Sequence, residues 1–165
     1  MASRKNYNYL QSSPQECGAA AVNFTLSLFN IHTTTQELFQ SFFRTNDATR
    51  ISHIIKALEN YNIKATACEI NFTFLCQTTL PILAYWNNNH VVVIQKILKS
   101  KILIFDPNFG NRILSLNDFK KQFSNIAILV ESSTNKPQSL PVEKTTIPFL
   151  KTTVKTTLLF STLSI

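Results

Sequence analysis

Apolar residues in the first half of the chain recur at the spacing of α-helices. In residues 18–29 they fall on nearly every face, which predicts a helix buried on most sides and ended by Asn30. Thr34 followed by Glu37 forms a capping-box pattern, which predicts the start of a short second helix. Apolar residues at i, i+3, i+4 and i+7 within residues 51–58 predict a third, amphipathic helix.

The second half changes to the shorter apolar runs that are typical of β-strands. We predict strands over residues 63–70, 80–85, 90–98, 102–106, 112–116 and 127–130. Pro81 belongs at the start of its strand or on a sheet edge, because proline cannot donate a ladder hydrogen bond. Asn117 is the expected N-cap of a helix before the last strand, and residues 72–76 fit neither pattern. Helices followed by an antiparallel sheet indicate an α+β domain.

Length and composition indicate one packed domain. The chain has 165 residues, and its 13 Phe against 2 Gly favour a globular core over a flexible chain. We assign residues 1–131 to this domain and residues 132–165 to a linker and a candidate start of a membrane segment. The last eight residues are apolar but short, so they are either the beginning of a membrane helix or a tail that packs on the domain.

Charge and cysteine usage narrow the functional classes. The net charge is +7, but the basic residues are scattered without a dense basic tract, so the sequence does not favour nucleic-acid binding. Three cysteines without a CxxC pair or a preceding secretory signal argue against a disulfide framework or a zinc site, and favour a reducing cytoplasm. We expect Cys68 and Cys76 to be structural, and we expect no cofactor.

Cys17 follows a polar, turn-forming run and starts an Ala-rich apolar segment. Pro14 cannot continue a helix from upstream, so Cys17 is expected at a helix N-terminus. Unpaired N–H groups and the positive end of the helix dipole favour an anion at that position, which is one way in which proteins make a thiolate nucleophile. The alternative is that Cys17 is a small buried hydrophobic residue.

His90 and Asp106 are expected to meet at one rim of the sheet. His90 begins a strand after a polar turn, and Asp106 ends the next strand of the same predicted hairpin. A histidine partner would offset the desolvation of Asp106 and would fix the orientation of the imidazole. The alternative is that Asp106 only caps the following turn and His90 only bonds to backbone. His32 and His53 have no such partner and are expected to be solvated.

Four segments, in this order, resemble the double-glycine leader peptidase domain, the N-terminal part of ABC transporters that process bacteriocins and other peptides. They are residues 11–20 (QSSPQECGAA), 80–86 (LPILAYW), 90–93 (HVVV) and 106–110 (DPNFG). The resemblance covers about residues 6–131. It implies a papain-like cysteine peptidase fold, with N-terminal helices packed on a C-terminal antiparallel sheet.

The resemblance also implies roles for four residues. Cys17 would be the nucleophile, His90 the general base, Asp106 the orienting carboxylate and Gln11 an oxyanion donor beside the Cys17 backbone N–H. The implied partners are a precursor peptide with an amphipathic helical leader, cleaved after Gly-Gly or Gly-Ala, and the transmembrane and ATP-binding parts of a transporter. The implied location is the cytoplasmic face of the bacterial inner membrane, or the cytoplasm for a stand-alone protein.

The chain departs from the family pattern at several positions. Glu16 stands where the family usually has Asp, Asn30 and Asn62 stand at helix ends where glycine is common, and Val91 replaces a frequent aromatic residue. Asparagine tolerates the left-handed backbone conformation, so the helix ends are not threatened. The sequence contains no GxxxxGK[ST] loop, so it does not itself predict ATP hydrolysis. The sequence is compatible with three functions, of which the first is favoured: a leader peptidase, a non-cleaving docking domain for a secretion substrate, and a structural module with an incidental cysteine.

Overall fold

The computed structural model describes residues 9–43, 50–87 and 89–132, and it contains short helices that flank one β-sheet. A single 3-10 turn, Pro14–Glu16, leads directly into the first α-helix. The α-helices are α1 Cys17–Leu28, α2 Thr35–Leu38, α3 Ile51–Glu59, α4 Phe72–Leu75 and α5 Leu116–Gln122. A π-helical turn, Phe39–Phe43, extends α2. No helix in this part of the chain is long and apolar enough to cross a membrane.

Six strands in the described residues form one antiparallel sheet. They are β1 Ile63–Glu69, β2 Ile82–Trp86, β3 His90–Ile97, β4 Lys101–Asp106, β5 Gly110–Ser115 and β6 Phe123–Ser132. The spatial order is β1-β6-β2-β3-β4-β5, so the last strand is inserted between the first and second. The four strands β2 to β5 follow one another as a meander, as their short connections require. Helices packed on an antiparallel sheet confirm the predicted α+β class.

The two faces of the sheet pack against different groups of side chains. On one face, Leu83, Val91 and Val93 pack with residues of α1 and α3 in the larger apolar cluster. On the other face, residues of opposite parity, such as Ile82 and Val92, pack with α5 in a second cluster. This alternation explains why β2 is apolar at every position, since both of its faces are covered.

Local sequence signals account for most of the element ends. Asn30 follows α1 with φ of 62°, the left-handed conformation that ends many helices, and Asn62 precedes β1 with φ of 60°. The Thr34 side chain accepts from the Glu37 N–H and the Glu37 carboxylate accepts from the Thr34 N–H, which confirms the predicted capping box. The predicted third helix is also present, as α3.

Three expectations need correction. Ser115, not Asn117, caps α5, because its hydroxyl accepts the Asp118 N–H and the helix begins two residues earlier than predicted. The last strand begins at Phe123 rather than residue 127, and it accommodates Asn125 with φ of 59°. His53 is not simply solvated, since its ring is half-buried and lies edge-on against Phe43.

The structure also decides the place of Pro81 and the conformation of the segment around residue 72. Pro81 precedes β2, and β2 lies between β6 and β3, so the proline marks a strand start and not a sheet edge. The ambiguous segment around residue 72 is a short helix, whose first turn is capped by the Asn71 side chain. The linker and membrane-segment expectations for residues 133–165 lie outside the described residues.

Candidate active site

Cys17 is the first residue of α1, as the position of Pro14 predicts. The thiol is buried, with 3% of the residue exposed. The preceding loop is closed by two bonds: the Glu16 N–H donates to the Ser13 carbonyl, and the Glu16 carboxylate accepts the Ser12 N–H at 2.7 Å. Glu16, where the family pattern usually has Asp, therefore shapes the turn that delivers the cysteine.

Helix α1 is fixed on the sheet by an aromatic contact. The rings of Phe24 in α1 and Phe105 in β4 are stacked, with centroids 4.0 Å apart and planes 6° from parallel. Tyr9 lies edge-on against both rings. Because Phe105 directly precedes Asp106, this stack sets the position of the cysteine-bearing helix relative to the end of β4.

The predicted meeting of His90 and Asp106 is confirmed. His90 begins β3 and Asp106 ends β4, and the imidazole Nε2 lies 2.9 Å from Asp106 Oδ1. The Cys17 thiol also hydrogen-bonds to His90. Since Nε2 is taken by Asp106, the second ring nitrogen, Nδ1, is the one left for the thiol. The three side chains thus form a continuous line from α1 through β3 to β4.

The electrostatics of this line favour a protonated imidazole. Burial alone lowers the pKa of His90, but the hydrogen bond that His90 donates to Asp106, the hydrogen bond with Cys17 and the negative charges of both partners outweigh it. Together they raise the pKa of His90 from 6.5 to about 9. Tyr85, buried nearby, has a pKa raised to about 12 by its own burial and by the charge of Cys17.

Asp106 accepts hydrogen bonds on both carboxylate oxygens. Besides His90, the Asn108 N–H donates to Oδ1 at 3.0 Å and Arg112 Nη1 donates to Oδ2 at 2.8 Å. Burial raises the pKa of Asp106, but these three donors and the charge of His90 prevail and hold it below its ordinary value. Asp106 does cap its own turn, as one alternative proposed, but it does so while bonded to the imidazole.

The backbone of Gln11 lies next to the turn that follows Asp106. Its N–H donates to the Pro107 carbonyl at 3.0 Å, which ties the loop before α1 to the turn after Asp106. Its side-chain Oε1 is buried and accepts no hydrogen bond from the part of the chain that the structure describes. The neighbouring Leu10 lies beside Gly110, whose φ of 77° closes the same turn. The predicted oxyanion role of Gln11 remains a prediction.

Sequence reasoning missed two side chains at this site. Arg112 was assigned only to a strand, and Trp86 only to a matching segment, yet the Arg112 guanidinium lies 5.6 Å from the centre of the Trp86 ring. Trp86 also pairs with His90 across strands β2 and β3. The signal was available, since Arg112 follows Asp106 by six residues across a turn and such spacing can return to the same end of a hairpin.

The other two cysteines lie outside this group of side chains. Cys68 and Cys76 are free thiols and partly buried, and burial raises the pKa of Cys76, in keeping with the structural role expected for it. Within residues 9–43, 50–87 and 89–132, no group of His, Cys, Asp and Glu side chains is arranged to hold a metal ion. The chemistry that the site can carry is that of a thiol next to a basic, carboxylate-bound imidazole.

Comparison with protein families agrees with this geometry. The model of the Peptidase C39 family matches residues 5–135. The chain is similar to the lacticin-481/lactococcin-DR transport/processing ATP-binding protein of Lactococcus lactis subsp. lactis, at 25% identity over 86% of this chain and 21% of that protein. It is 26% identical to the pediocin PA-1 transport/processing ATP-binding protein of Pediococcus acidilactici, over 75% of this chain and 18% of that protein. The chain therefore spans about a fifth of the length of these relatives.

A solved structure shares the fold. It is a double glycine motif protease from an AMS/PCAT transporter, in complex with the leader peptide. The TM-score is 0.72 at 23% identity, and the match covers 75% of this chain and 89% of that one. This likeness confirms the predicted papain-like peptidase fold.

Proposed function

Because this chain belongs to the Peptidase C39 family, we propose that it is a cysteine endopeptidase of secreted precursor peptides. It removes the leader peptide by cutting after a double-glycine-type motif, and the cleavage is coupled to export by an ABC transporter. The observation that supports this proposal most is the hydrogen-bonded line of Cys17, His90 and Asp106.

The proposed reaction begins with proton transfer from the Cys17 thiol to His90 Nδ1. The thiolate attacks the carbonyl carbon of the scissile peptide, and the C=O electron pair moves to oxygen. The Cys17 backbone N–H and the Gln11 carboxamide stabilise this oxyanion. The imidazolium then gives its proton to the leaving amine as the C–N bond breaks, which leaves a thioester on Cys17. Water, deprotonated by His90, hydrolyses the thioester and restores the thiol.

Asp106 acts through the imidazole in this scheme. Its ionised carboxylate accepts the Nε2–H at 2.9 Å, so the neutral ring carries its proton on Nε2 and presents a free Nδ1 lone pair to the thiol. The same carboxylate stabilises the imidazolium formed in the first step, as the raised pKa of His90 reflects. The orientation of His90 therefore depends on a side chain that never touches the substrate.

The proposed substrate has small residues before the cut and an amphipathic helical leader. The solved relative was captured with a leader peptide, which motivates the assignment. Two exposed apolar side chains, Leu10 and Phe109, flank the contact between Gln11 and Pro107 and offer a surface to the apolar face of such a helix. The net charge of +7 favours association with acidic leaders.

The proposed setting is the cytoplasmic face of the bacterial inner membrane. The two relatives are transport/processing ATP-binding proteins about five times as long as the matched region. We infer that this domain works beside transmembrane and ATP-binding parts, with the precursor peptide as their shared substrate. Membrane attachment through residues 132–165 is part of the same proposal.

A non-cleaving docking domain is the second candidate function. The fold alone would serve it, because a groove for a leader needs no nucleophile. The presence of Cys17 in hydrogen-bond contact with His90 favours cleavage instead. A docking domain would have no reason to keep the buried carboxylate of Asp106 aligned on the imidazole.

A cleavage assay with matched variants tests the proposal. A precursor peptide with a Gly-Gly leader end is incubated with the wild-type chain, Cys17→Ala and Cys68→Ala, and products are identified by mass spectrometry. We expect one cut after Gly-Gly with the wild type and Cys68→Ala, and none with Cys17→Ala. Peptide binding without any cut by the wild type would support the docking function and reject the peptidase.

A further inference from the structure

Arg112 donates a hydrogen bond to the carboxylate oxygen of Asp106 that does not bond to His90. We propose that Arg112 is a positioning residue of this site, which holds the Asp106 carboxylate in the rotamer that orients His90. The inference rests on the proposed peptidase function, because it concerns the same Cys17, His90 and Asp106. It assigns to β5 a part in the site that neither the family match nor the relatives specify.

The contacts around Asp106 divide between its two oxygens. Oδ1 accepts from His90 Nε2 at 2.9 Å and from the Asn108 N–H at 3.0 Å, while Oδ2 accepts from Arg112 Nη1 at 2.8 Å. A carboxylate bonded at one oxygen only can turn about χ2, because that torsion is broad and roughly two-fold. The Arg112 bond to the second oxygen removes this freedom and keeps Oδ1 in line with the imidazole.

Arg112 is itself held by two aromatic rings. Its guanidinium carbon lies 5.6 Å from the centre of the Trp86 ring and 5.2 Å from the centre of the Phe109 ring. Trp86 is buried, whereas Phe109 is 72% exposed, a large exposure for a phenylalanine that the contact with Arg112 helps to explain. These two contacts restrict where the guanidinium lies, and so they support its hydrogen bond to Asp106.

The β4–β5 hairpin brings Asp106, Phe109 and Arg112 together, since all three lie within one short stretch of the chain. Asp106 pairs with Gly110 and Ile104 pairs with Arg112 in the β4–β5 ladder, so the arginine lies two residues along the partner strand from the turn. Its side chain returns to the carboxylate across the ladder, and Phe109 comes from the same turn. The three-residue turn thus supplies Phe109 and the Asn108 N–H, and the strand after it supplies the cation.

Arg112 also favours the ionised form of the Asp106 carboxylate. Among the described residues, Cys17 from α1 interacts with His90, and Arg112 from β5 interacts with Asp106. Burial raises the pKa of Asp106, while hydrogen bonds from His90, the Asn108 N–H and Arg112 lower it, so the Arg112 bond is one of the contacts that favour the ionised carboxylate. The Arg112 side chain is 37% exposed, which leaves room for a small cation from solvent to replace it.

Kinetic tests use three substitutions at this position. Arg112→Met keeps the apolar stem against both rings but removes the donor and the charge, so kcat for a Gly-Gly precursor should fall about ten-fold with KM little changed. Arg112→Lys should recover part of the loss. Added methylguanidinium should restore Arg112→Ala several-fold. The control Lys96→Met removes an exposed cation from β3 and should match the wild type.

A nitrogen-15 NMR measurement tests the same inference without turnover. In the Cys17→Ala background, the neutral His90 ring should carry its proton on Nε2, and adding Arg112→Met should give a mixture of both tautomers. An unchanged tautomer together with a kcat within two-fold of wild type would overturn the positioning role, even if Arg112→Met lowered stability. If the wild type fails to cleave at all, the proposed function falls, and the NMR result still decides the role of Arg112.

Discussion

Replacing Asp106 by asparagine places a conflict at the centre of the site. Three donors face the carboxylate: His90 Nε2 and the Asn108 N–H at Oδ1, and Arg112 Nη1 at Oδ2. Asparagine offers one oxygen and one NH₂. The NH₂, which is a donor, must therefore face either Arg112 or His90, and each of these needs an acceptor there. If the NH₂ faces His90, the ring must carry its proton on Nδ1, and it can no longer accept the proton of Cys17.

The expected loss of kcat in Asp106→Asn follows from the lost hydrogen bond and the lost negative charge. One hydrogen bond to a charged group contributes about 1.5–3 kcal/mol, which corresponds to a fall in kcat of about 10- to 150-fold. Raising the pKa of His90 from 6.5 to about 9 corresponds to about 3 kcal/mol in favour of the protonated ring. Asp106 supplies the largest of the contributions that raise it, so in Asp106→Asn the pKa of His90 falls.

The assay is the pH dependence of kcat/KM, paired with an NMR titration of His90. In the proposed mechanism the imidazolium protonates the leaving amine, so wild-type activity should fall as pH rises through about 9. In Asp106→Asn this alkaline limb should move to lower pH. The control is Asp118→Asn, since Asp118 is an exposed carboxylate whose pKa is lowered by Ser115 and Lys121 and which lies outside the site. An alkaline limb that stays near pH 9 in Asp106→Asn would refute the reasoning.

The same bond makes stability depend on pH. The pKa of His90 is raised in the folded chain, so its contribution to the free energy of unfolding is fully present below about pH 6.5. That contribution is lost as pH rises through about 9. Urea unfolding of wild type and His90→Gln should therefore differ most at pH 6 and least near pH 10. A difference that grows toward pH 10 would mean that His90 is held neutral in the fold.

Further predictions concern the other parts of the account. Iodoacetamide should modify Cys17 near neutral pH faster than Cys76, whose pKa is raised by burial, and equal rates measured by peptide mapping would count against an activated Cys17. Phe24→Ala removes a buried ring stacked at 4.0 Å on Phe105 and should lower the free energy of unfolding by about 3–5 kcal/mol, measured in urea. Thr34→Ala removes the capping box of α2 and should cost about 1 kcal/mol in the same experiment. Apolar replacements in the leader should weaken kcat/KM by about 1–3 kcal/mol for each buried side chain. High salt should slow an acidic leader only moderately, and a larger effect of leader charge reversal would show that recognition is mainly electrostatic.

Local patterns predicted the parts of the fold that short-range physics decides. The i, i+3, i+4 spacing gave α3, the Thr34–Glu37 pair gave the start of α2, and Pro14 gave the start of α1 at Cys17. The meeting of His90 and Asp106 was predictable because both lie at one end of a single hairpin. Such a pairing depends only on antiparallel geometry.

Features that depend on distant parts of the chain were not predictable. The insertion of β6 between β1 and β2 pairs segments that are far apart in the chain, and no local signal in residues 123–132 specifies it. The cap of α5 went to Ser115 rather than Asn117, because the strand before it ended earlier than its apolar pattern suggests. Arg112 is a different case, because its spacing to Asp106 and Phe109 is local, but a lone arginine on a strand is ordinarily a surface residue and its partner Trp86 comes from β2.

The central claim is that Cys17 is a nucleophile activated by His90 and directed at a Gly-Gly carbonyl. A leader peptide whose C-terminal Gly-Gly carries a chloromethyl ketone tests it most directly, because the thiolate displaces chloride and the adduct is permanent. Intact-mass measurement and peptide mapping should find one leader on Cys17 in the wild type, much slower labelling in His90→Ala, and none on Cys68 or Cys76. Equal labelling of the three cysteines, or an unchanged rate in His90→Ala, would contradict the account.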